Sequence, residues 1–265
     1  MSTPSETFGQ RYRDRVAVVT ASSTGIGLAI AERFAAEGGS VVISSRKQEN
    51  VDAAVAHIAK LYPAAASRLL GVVCHVANAE HRRQLIERTV ERFGQLDVLV
   101  SNAAINPTMA TLTDTEEAVW DKLFEVNVKA AYLLVREALP HLRRSRHDPC
   151  VLIVASIGGY NPFPLLAAYS VTKTALLGLT KALAAQLAPE QIRVNGLAPG
   201  IIKTRFSAAL WQDDQVAELS RAQIPLGRHG LPVEMAGSAA YLCSKDASYV
   251  TGETHVAAGG VHARL

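Results

Sequence analysis

The sequence contains few cysteines, little charge and no long hydrophobic run. Its three cysteines, Cys74, Cys150 and Cys243, lie far apart in 265 residues, which argues against a disulfide framework or a cysteine metal site. Because each cysteine lies in or beside an apolar run, we expect three small buried side chains and a reducing compartment. No apolar run reaches the roughly 20 residues of a membrane-spanning helix, so we expect no membrane span.

Charge is also scarce, because only 19% of the residues are charged and the formal net charge is +3. We therefore expect no nucleic-acid partner, and we interpret Arg143, Arg144 and Arg146 as a solvated helix end. By contrast, 49% of the residues are hydrophobic, which is typical of one well-packed domain over residues 1–265. Residues 1–14 contain no apolar stretch, so we expect a flexible N-terminus without a secretory signal or mitochondrial presequence.

Apolar, β-branched runs alternate with helical patterns along the whole chain. Predicted strands are Val16–Thr20, Val41–Ser44, Leu69–Cys74, Val98–Ser101, Val151–Ala155, Ile192–Leu197 and Thr254–Val256. Predicted helices are Gly27–Glu37, Val51–Leu61, His81–Phe93, Glu116–Leu142, Ala168–Leu187 and Val233–Cys243. Because the strands are apolar throughout rather than alternating, both of their faces are expected to be buried. The pattern predicts an α/β fold: a single doubly wound Rossmann domain whose parallel seven-stranded sheet is flanked by helices.

Two stretches interrupt this alternation. Residues 157–166 are rich in glycine and proline and predict a loop, and residues 201–225 lie between the sixth strand and the last helix. Loops at the carboxyl ends of parallel strands bind ligands in such folds, so we interpret the first as a pocket wall and the second as a substrate lid. The expected pocket residues are Ser156, Ile157, Phe163, Leu165, Phe206, Leu210 and Trp211. The apolar ones have an alternative use, in lid packing or a subunit contact.

A nucleotide site is predicted where the first strand meets the first helix. The turn contains Gly25 and Gly27, which allow the backbone to approach a pyrophosphate closely, and the helix N-terminus offers free N–H groups and a positive dipole. An NAD site needs a carboxylate at the end of the second strand. Ser45, Arg46 and Lys47 stand there instead, and the planar fork of an arginine matches a 2′-phosphate. This favours NADP(H).

Tyr169 and Lys173 form a Y-x-x-x-K motif at the start of a predicted helix. The spacing places both side chains on one helix face, one turn apart. A neighbouring ammonium lowers the pKa of a phenol, which is ordinarily near 10. We therefore expect Lys173 to adjust Tyr169 as a general acid that gives its proton to a carbonyl oxygen.

Two polar residues support that interpretation. Ser156 follows the fifth predicted strand, thirteen residues before Tyr169, where its hydroxyl would hydrogen-bond a substrate oxygen as charge develops. Asn127 lies within a predicted helix, although asparagine is a poor helix-interior residue, so its presence there indicates a specific task.

Together these motifs resemble those of the short-chain dehydrogenase/reductase family. The run from Thr20 to Gly27 is similar to the signature T-G-x-x-x-G-x-G, with Ala21 in place of its first glycine. The run 101–104, SNAA, is similar to N-N-A-G, again with alanine for glycine, and His75 stands where the family often has an aspartate beside the adenine. The resemblance covers the chain from about Arg15 to the C-terminus.

The resemblance also implies roles for single residues. Asn127, Ser156, Tyr169 and Lys173 match the family's catalytic tetrad, in which the asparagine and the lysine hold a water-linked proton relay. Pro199 and Gly200 are implied to contact the nicotinamide, and Thr204 its carboxamide. The implied cofactor-binding residues are Thr20, Ser22, Ser23, Gly25, Ile26, Gly27, Ser45, Arg46, Lys47, His75, Val76, Asn102, Ala103, Ala104, Tyr169, Lys173, Pro199, Gly200, Ile202 and Thr204.

Within the family, stretches such as SSRKQENVD and LAPGIIKT are closest to the NADPH-dependent retinal/carbonyl reductases. Members of that subgroup reduce lipophilic aldehydes, ketones and α-dicarbonyls, including retinal, and commonly carry a peroxisomal tail. The C-terminal Ala263-Arg264-Leu265 is similar to the S-K-L peroxisomal address, so we expect a peroxisomal protein, with the cytoplasm as the alternative. By analogy with the family, the two longest predicted helices pack against partner subunits, which implies a homotetramer or a dimer.

Other functions are kept open. A 3-oxoacyl-carrier reductase would need a basic surface for an acidic carrier, which Arg143, Arg144 and Lys129 supply only weakly, and a 3-ketosteroid reductase would share the apolar pocket. A non-catalytic nucleotide sensor on this fold would be expected to have lost Tyr169 or Lys173, and both are present.

Overall fold

A computed structural model describes residues 9–261 of the protein. Within that range, seven strands form one sheet in the order β3-β2-β1-β4-β5-β6-β7, and every neighbouring pair is parallel. The doubly wound Rossmann fold with a parallel seven-stranded sheet is thus confirmed. The strands are β1 (Val16–Val19), β2 (Ser40–Ser45), β3 (Leu69–Val73), β4 (Val98–Ser101), β5 (Cys150–Val154), β6 (Arg193–Pro199) and β7 (Thr254–Ala257).

Helices cover both faces of the sheet. They are α1 (Gly25–Ala36), α2 (Gln48–Leu61), α3 (Ala79–Phe93), α4 (Glu117–Phe124), α5 (Ala130–Leu142), α6 (Ala167–Leu187), α7 (Asp214–Ala222) and α8 (Pro232–Leu242). Buried residues of α1, α2 and α8 form one core cluster with one face of the strands. Buried residues of α3, α5 and α6 form a second cluster on the other face.

The strands are apolar on both faces because successive side chains enter different cores. Val19 belongs to the cluster under α1 and α8, whereas its neighbour Val18 belongs to the cluster under α5 and α6. This follows from the two-residue period of a β-strand. It explains why the predicted strands showed continuous hydrophobicity rather than alternation.

Two predicted segments differ from the structure. Residues 116–142 were expected to form one helix, but α4 and α5 are joined by a wider π-helical turn, Glu125–Lys129, which contains Asn127. Residues 201–225 were expected to be irregular, yet they contain α7. Asp213 caps that helix by accepting hydrogen bonds from the backbone N–H groups of Gln215 and Val216, both at 3.0 Å.

Residues 11–12, which were expected to belong to a flexible N-terminus, instead pack against the fold. Tyr12 is fully buried, its ring stacks on Phe34 with 4.2 Å between centroids, and its hydroxyl donates to the Ala240 carbonyl at 2.8 Å. Arg11 is ion-paired with the buried Glu37. These contacts tie residues 11–12 to α1 and α8, which residue-by-residue polarity did not indicate. The tripeptide 263–265, expected to be a peroxisomal address, lies outside the described residues.

Candidate active site

One cavity of about 700 Å³ lies at the carboxyl edge of the sheet, where a doubly wound fold places its ligands. β5 and β6 end at this cavity, and α1 and α6 begin there. Sixteen of the predicted site residues line it, and they are Gly25, Ile26, Asn102, Ala104, Ser156, Ile157, Phe163, Leu165, Tyr169, Lys173, Pro199, Gly200, Ile202, Thr204, Phe206 and Leu210. The topology thus assembles residues that are far apart in the chain.

Tyr169 and Lys173 lie on the first turns of α6, as their spacing predicted. The Lys173 Nζ is 5.5 Å from the centroid of the Tyr169 ring and donates a hydrogen bond to the Val154 carbonyl at 2.8 Å. Lys173 is only 2% exposed. Burial disfavours its charged form and lowers its pKa to about 7.

The pKa of Tyr169 departs from the expectation. Burial raises it above its ordinary value, and a hydrogen bond with Ser156 partly opposes that rise. Lys173 does not lower it here, because the lysine itself is desolvated and its Nζ points to a backbone carbonyl. The protonated phenol is therefore the stable form in the protein without ligands, which suits a proton donor.

Ser156 directly follows β5 and begins a short 3₁₀ turn, Ile157–Gly159. Its Oγ accepts a hydrogen bond from the Gly158 N–H at 3.1 Å, which fixes the side chain beside Tyr169. The turn also needs glycine at position 159, because a methyl group there would lie 2.8 Å from the Lys173 carbonyl oxygen. Close packing of this turn on α6 therefore positions Ser156 against Tyr169.

Asn127 lies behind the cavity and clamps two neighbouring segments. Its Oδ1 accepts from the Ile105 N–H at 2.8 Å, and its Nδ2 donates to the Ile105 carbonyl at 3.0 Å and to Thr172 Oγ1 at 3.1 Å. Thr172 in turn donates to the Tyr169 carbonyl at 2.6 Å. The side chain thus positions the loop after β4 against α6. The partners Ile105 and Thr172 were missed, since nothing in the local sequence marks them.

The turn between β1 and α1 is open to an anionic ligand. Thr24 caps α1 without a side-chain hydrogen bond, and the first turn of the helix contains no acidic residue. Gly25 has a positive φ of 60°, and a methyl group on it would lie 3.3 Å from the Thr204 side chain. The backbone N–H groups and dipole of the helix N-terminus therefore face the cavity, as a pyrophosphate requires.

Several predicted cofactor residues do not line the cavity but support this turn through hydrogen bonds and close packing beneath it. The Thr20 hydroxyl accepts hydrogen bonds from the N–H groups of Asn102 at 3.0 Å and Ala103 at 3.2 Å, which ties β1 to β4. A methyl group on Gly27 would lie 2.6 Å from the Asn102 Nδ2. Ser22 is buried, and its hydroxyl donates to the Val19 carbonyl, so its side chain faces the sheet.

A second group lies at the carboxyl ends of β2 and β3, outside the cavity. β2 ends at Ser45, which pairs with Val73 of β3, so Arg46 and His75 emerge on the same side. Both Arg46 and Lys47 are exposed. Burial lowers the pKa of His75, and the charges of Lys122 and Arg46 lower it further. The other predicted residues outside the cavity lining are Ser23, Val76 and Trp211.

Residues 201–225 form the segment over the cavity, and polar contacts within the segment hold it in place. The Trp211 indole N–H donates to the Thr204 carbonyl at 3.1 Å, so this residue, expected in the pocket, instead braces the segment. Ser207 Oγ accepts from the Thr204 N–H at 3.3 Å. The lining residues that sequence analysis did not name include Met109, Val216, Leu219, Ser220 and Gln223, of which the last four belong to or adjoin α7. Their only signal was the Asp213 cap before an amphipathic run.

Within residues 9–261, no group of three or more histidine, cysteine, aspartate or glutamate side chains is placed to hold a metal ion. No helix in that range is long and apolar enough to cross a membrane.

The chain is similar to known proteins over most of its length. A family model described as Enoyl-(Acyl carrier protein) reductase matches residues 20–262. Dehydrogenase/reductase SDR family member 4 of Sus scrofa is 51% identical over 252 residues, covering 95% of this chain and 88% of that protein. Tropinone reductase-like 3 of Erythroxylum coca is 49% identical over 263 residues, covering 99% of each. A crystal structure of a short-chain dehydrogenase/reductase, glucose/ribitol dehydrogenase from Brucella melitensis, has a TM-score of 0.88 at 33% identity, covering 96% of this chain and 99% of that one.

Proposed function

Because the chain belongs to the short-chain dehydrogenase/reductase family of oxidoreductases, we propose that it reduces lipophilic aldehydes and ketones with NADPH. The observation that carries the proposal is one cavity in which Ser156 and Tyr169 meet apolar walls. Those walls include Met109, Phe163 and Leu165. Apolar walls with a few convergent polar groups are typical of small-molecule sites.

The fold and family imply a nicotinamide cofactor, and the turn after β1 suits it. A methyl group on Gly25 would meet the Thr204 side chain, and the uncapped first turn of α1 would hold the pyrophosphate. Asn102, Ala104, Pro199 and Gly200 line the same cavity and would hold the remainder. When bound, the nicotinamide supplies the hydride.

The choice of NADP(H) over NAD(H) rests on the end of β2. Ser45 carries no charge there, so nothing at that position repels a 2′-phosphate. Arg46 is exposed and forms no ion pair with any residue in the range 9–261, which leaves its guanidinium available for a phosphate. Lys47 faces Glu49 at 3.4 Å, which partly offsets its charge, so Arg46 is the principal determinant.

Side chains of the protein bind the substrate oxygen and donate a proton to it. Ser156 donates a hydrogen bond to the substrate carbonyl oxygen and orients it toward Tyr169. The Tyr169 hydroxyl gives its proton to that oxygen as the carbonyl carbon is reduced. In its protonated form, Lys173, held at the Val154 carbonyl with its Nζ 5.5 Å from the Tyr169 ring centroid, is a buried cation beside the phenolate that results, and it stabilises that anion. Asn127 fixes the backbone on which Tyr169 and Thr172 lie.

A second candidate is a carrier-linked acyl reductase, because the matching family model carries that description. Such a carrier is acidic and needs a free basic surface. Arg143 instead forms a two-pronged ion pair with Glu190, at 2.5 and 2.8 Å. This neutralises the centre of the predicted basic cluster and favours a free small-molecule substrate.

Exposed apolar side chains on two helices bear on the oligomeric state. We infer a homotetramer, because α5 exposes Tyr132 and α8 exposes Val233 and Tyr241, faces that a monomer leaves in water. Sedimentation showing a monomer at micromolar concentration would contradict it.

The tripeptide Ala263-Arg264-Leu265 supports a peroxisomal location, which its deletion and microscopy of the tagged protein would test.

The activity is tested with a carbonyl panel assayed with NADPH and NADH by nicotinamide absorbance. The panel contains aliphatic aldehydes, aromatic ketones, α-dicarbonyls, retinal, 3-ketosteroids and 3-oxoacyl thioesters. We expect turnover of the lipophilic carbonyls with NADPH. Replacing Tyr169 with Phe should lower kcat by about 100-fold or more while NADPH binding persists, and Tyr160→Phe, outside the cavity, is the matched control. Tight NADPH binding without turnover of any carbonyl would refute the proposal.

A further inference from the structure

Two of the three cysteines meet at the edge of the sheet opposite the active site. Cys150 begins β5 and Cys243 follows α8, and both are buried. The Cys150 Sγ lies 3.5 Å from the Cys243 carbonyl oxygen, and a hydrogen bond between the two sulfurs shifts the pKa of each thiol. Residues 93 positions apart thus form a pair of adjacent thiols, which the reductase chemistry does not use.

Two buried arginines surround this pair. Arg15 donates to the Cys243 carbonyl at 2.6 Å and to the Asp148 carbonyl at 2.8 Å, and its Nη2 is 3.9 Å from the Cys150 Sγ. Arg193 donates to the Leu242 carbonyl at 2.9 Å and is ion-paired with the Asp148 carboxylate at 3.0 Å. The Nε atoms of both arginines are buried without a hydrogen-bond partner.

The charges at this edge do not balance if both thiols are neutral. Arg193 is ion-paired with the Asp148 carboxylate, whereas the oxygens that Arg15 contacts are the backbone carbonyls of Cys243 and Asp148. The other buried carboxylates nearby are already engaged: Asp97 accepts from the Val16 N–H at 2.7 Å, and Glu37 is paired with Arg11 and Arg33. A buried cation without a counter-ion is costly, so an anion is expected next to Arg15.

We propose that Cys150 is that anion, a thiolate held between Arg15 and Arg193, and that a peroxide converts Cys150 and Cys243 into a disulfide. The hydrogen bond from Cys243 and the two guanidinium groups lower the pKa of Cys150 to about 7, against the effect of burial. The pKa of Cys243 is raised by burial and by its hydrogen bond with Cys150. Cys243 thus keeps the proton that the pair shares, and Cys150 is the nucleophile.

The oxidation balances with hydrogen peroxide as the two-electron oxidant. The Cys150 thiolate attacks one peroxide oxygen, the O–O bond breaks, hydroxide leaves and Cys150 becomes a sulfenic acid. The Cys243 sulfur then attacks the Cys150 sulfur, and the S–S bond forms as hydroxide leaves. The Cys243 proton neutralises one hydroxide and a solvent proton neutralises the other, giving two waters. Both sulfurs are buried, so the peroxide has to reach them through local opening of the fold.

Cys74 provides an internal control for this chemistry. It is buried like the other two, but burial raises its pKa to about 12, and it has no cysteine neighbour in the range that the structure describes. It should therefore stay reduced under conditions that oxidise the pair.

The test treats the full-length protein with hydrogen peroxide, followed by alkylation in denaturant and peptide mass mapping. We expect two of the three thiols to disappear together, in a link between the Cys150 and Cys243 peptides that dithiothreitol reverses. Cys243→Ser should instead accumulate a Cys150 sulfenic acid, trapped by a cyclic 1,3-dione, and Cys74→Ser should behave as the wild type. A Cys150 that forms neither species, or that reacts no faster than Cys74, would overturn the proposal.

A second measurement tests the thiolate without any oxidant. The ultraviolet absorbance of thiolate is followed against pH in the folded wild type and in Cys150→Ser. We expect a difference that develops with a midpoint near 7, and a higher midpoint in Arg15→Gln. A midpoint at or above the ordinary cysteine value of about 8.5 would show that Arg15 and Arg193 do not hold a thiolate.

Discussion

The Nζ of Lys173 lies 2.8 Å from the carbonyl oxygen of Val154 and donates a hydrogen bond to it. The lysine is almost completely buried, and no carboxylate within residues 9–261 forms an ion pair with it. One backbone carbonyl stabilises an ammonium much less than a carboxylate would. The protein therefore keeps a titratable cation inside the active site at a cost in stability, which is typical of functional residues.

This arrangement predicts how stability depends on pH. The pKa of Lys173 is lowered to about 7 in the folded protein, whereas an unfolded lysine has a pKa of about 10.4. Between these values the unfolded chain binds one more proton, so the free energy of unfolding rises with pH, by up to about 1.4 kcal/mol per pH unit. Below about pH 7 both states are protonated and this slope vanishes.

Lys173→Met should remove that slope, raise stability near neutral pH by a few kcal/mol, and abolish turnover. Urea unfolding of the ligand-free protein, measured across the window from about pH 7 to about pH 10, gives the comparison. Lys181→Met, on the exposed face of α6, is the matched control and should leave both stability and its pH slope unchanged. Identical slopes in Lys173→Met and wild type would contradict the assignment.

Replacing Asn127 is expected to lower both the stability of the protein and its turnover rate. Asn127→Ala leaves the Ile105 N–H and carbonyl without the partners seen at 2.8 and 3.0 Å, and unpaired buried backbone groups cost about 1–3 kcal/mol each. The free energy of unfolding and kcat should both fall. Thr172→Val removes the single bond to Asn127 and the bond to Tyr169, so its loss should be smaller. Equal effects of the two variants would show that the Ile105 contacts are unimportant.

Ala21 carries a strained backbone. Its φ is 49°, in the left-handed region that favours glycine and costs a residue with a Cβ about 1–2 kcal/mol. Ala21→Gly should therefore stabilise the protein, by about 0.5–1 kcal/mol after the greater chain entropy of glycine is subtracted. The matched control, Ala29→Gly inside α1, should destabilise by about 1 kcal/mol. Thermal unfolding of both variants and the wild type gives the comparison. If Ala21→Gly is less stable than the wild type, the backbone at Ala21 is not strained.

The sequence predicted those elements whose signal is local. All seven strands were found, and the signal is strongest in β1, β4, β5 and β6, which are buried throughout, as continuous apolar runs such as residues 150–154 record directly. Tyr169 and Lys173 were found because their spacing is one helical turn. The helix α7 was missed because its exposed face dominates its sequence, although Asp213 marked its start.

Features that depend on distant segments could not be predicted. The direction of the Lys173 ammonium is set by β5, and the burial of Tyr12 by α1 and α8. Asn127 was singled out correctly as unusual for a helix, but the segments it joins, at Ile105 and Thr172, become neighbours only through the fold. Sequence spacing carries no record of such contacts.

Arg46 predicts the cofactor preference. A charge-assisted hydrogen bond from its guanidinium to a phosphate is worth about 1.5–3 kcal/mol, or about 10- to 100-fold in affinity. Arg46→Glu should raise the KM for NADPH by at least that factor and leave the KM for NADH unchanged or lower. Lys60→Glu, an exposed charge change on α2, is the control. An unchanged NADPH preference in Arg46→Glu would place the determinant elsewhere.

The segment over the substrate cavity is predicted to loosen in acid. His229 is buried, its Nε2 lies 2.6 Å from Ser220 Oγ at the cavity wall, and its Nδ1 has no partner within hydrogen-bonding distance. Burial lowers the pKa of His229, and Lys203 and Arg221 lower it further. The stability it contributes is therefore present above the unfolded value of about 6.5 and is lost as the pH falls through the folded value.

Hydrogen exchange of α7 amides should therefore accelerate below about pH 6.5, and the KM for apolar carbonyls should rise there more than kcat falls. His229→Gln keeps a hydrogen-bonding side chain beside Ser220 but does not titrate, so α7 exchange in that variant should lose its pH dependence once the intrinsic rate is corrected. Ser220→Ala should loosen α7 at every pH. Because His229 does not touch the Tyr169–Lys173 pair, a variant that shifted the pH profile of kcat alone would show that His229 acts in the chemistry instead of anchoring the segment.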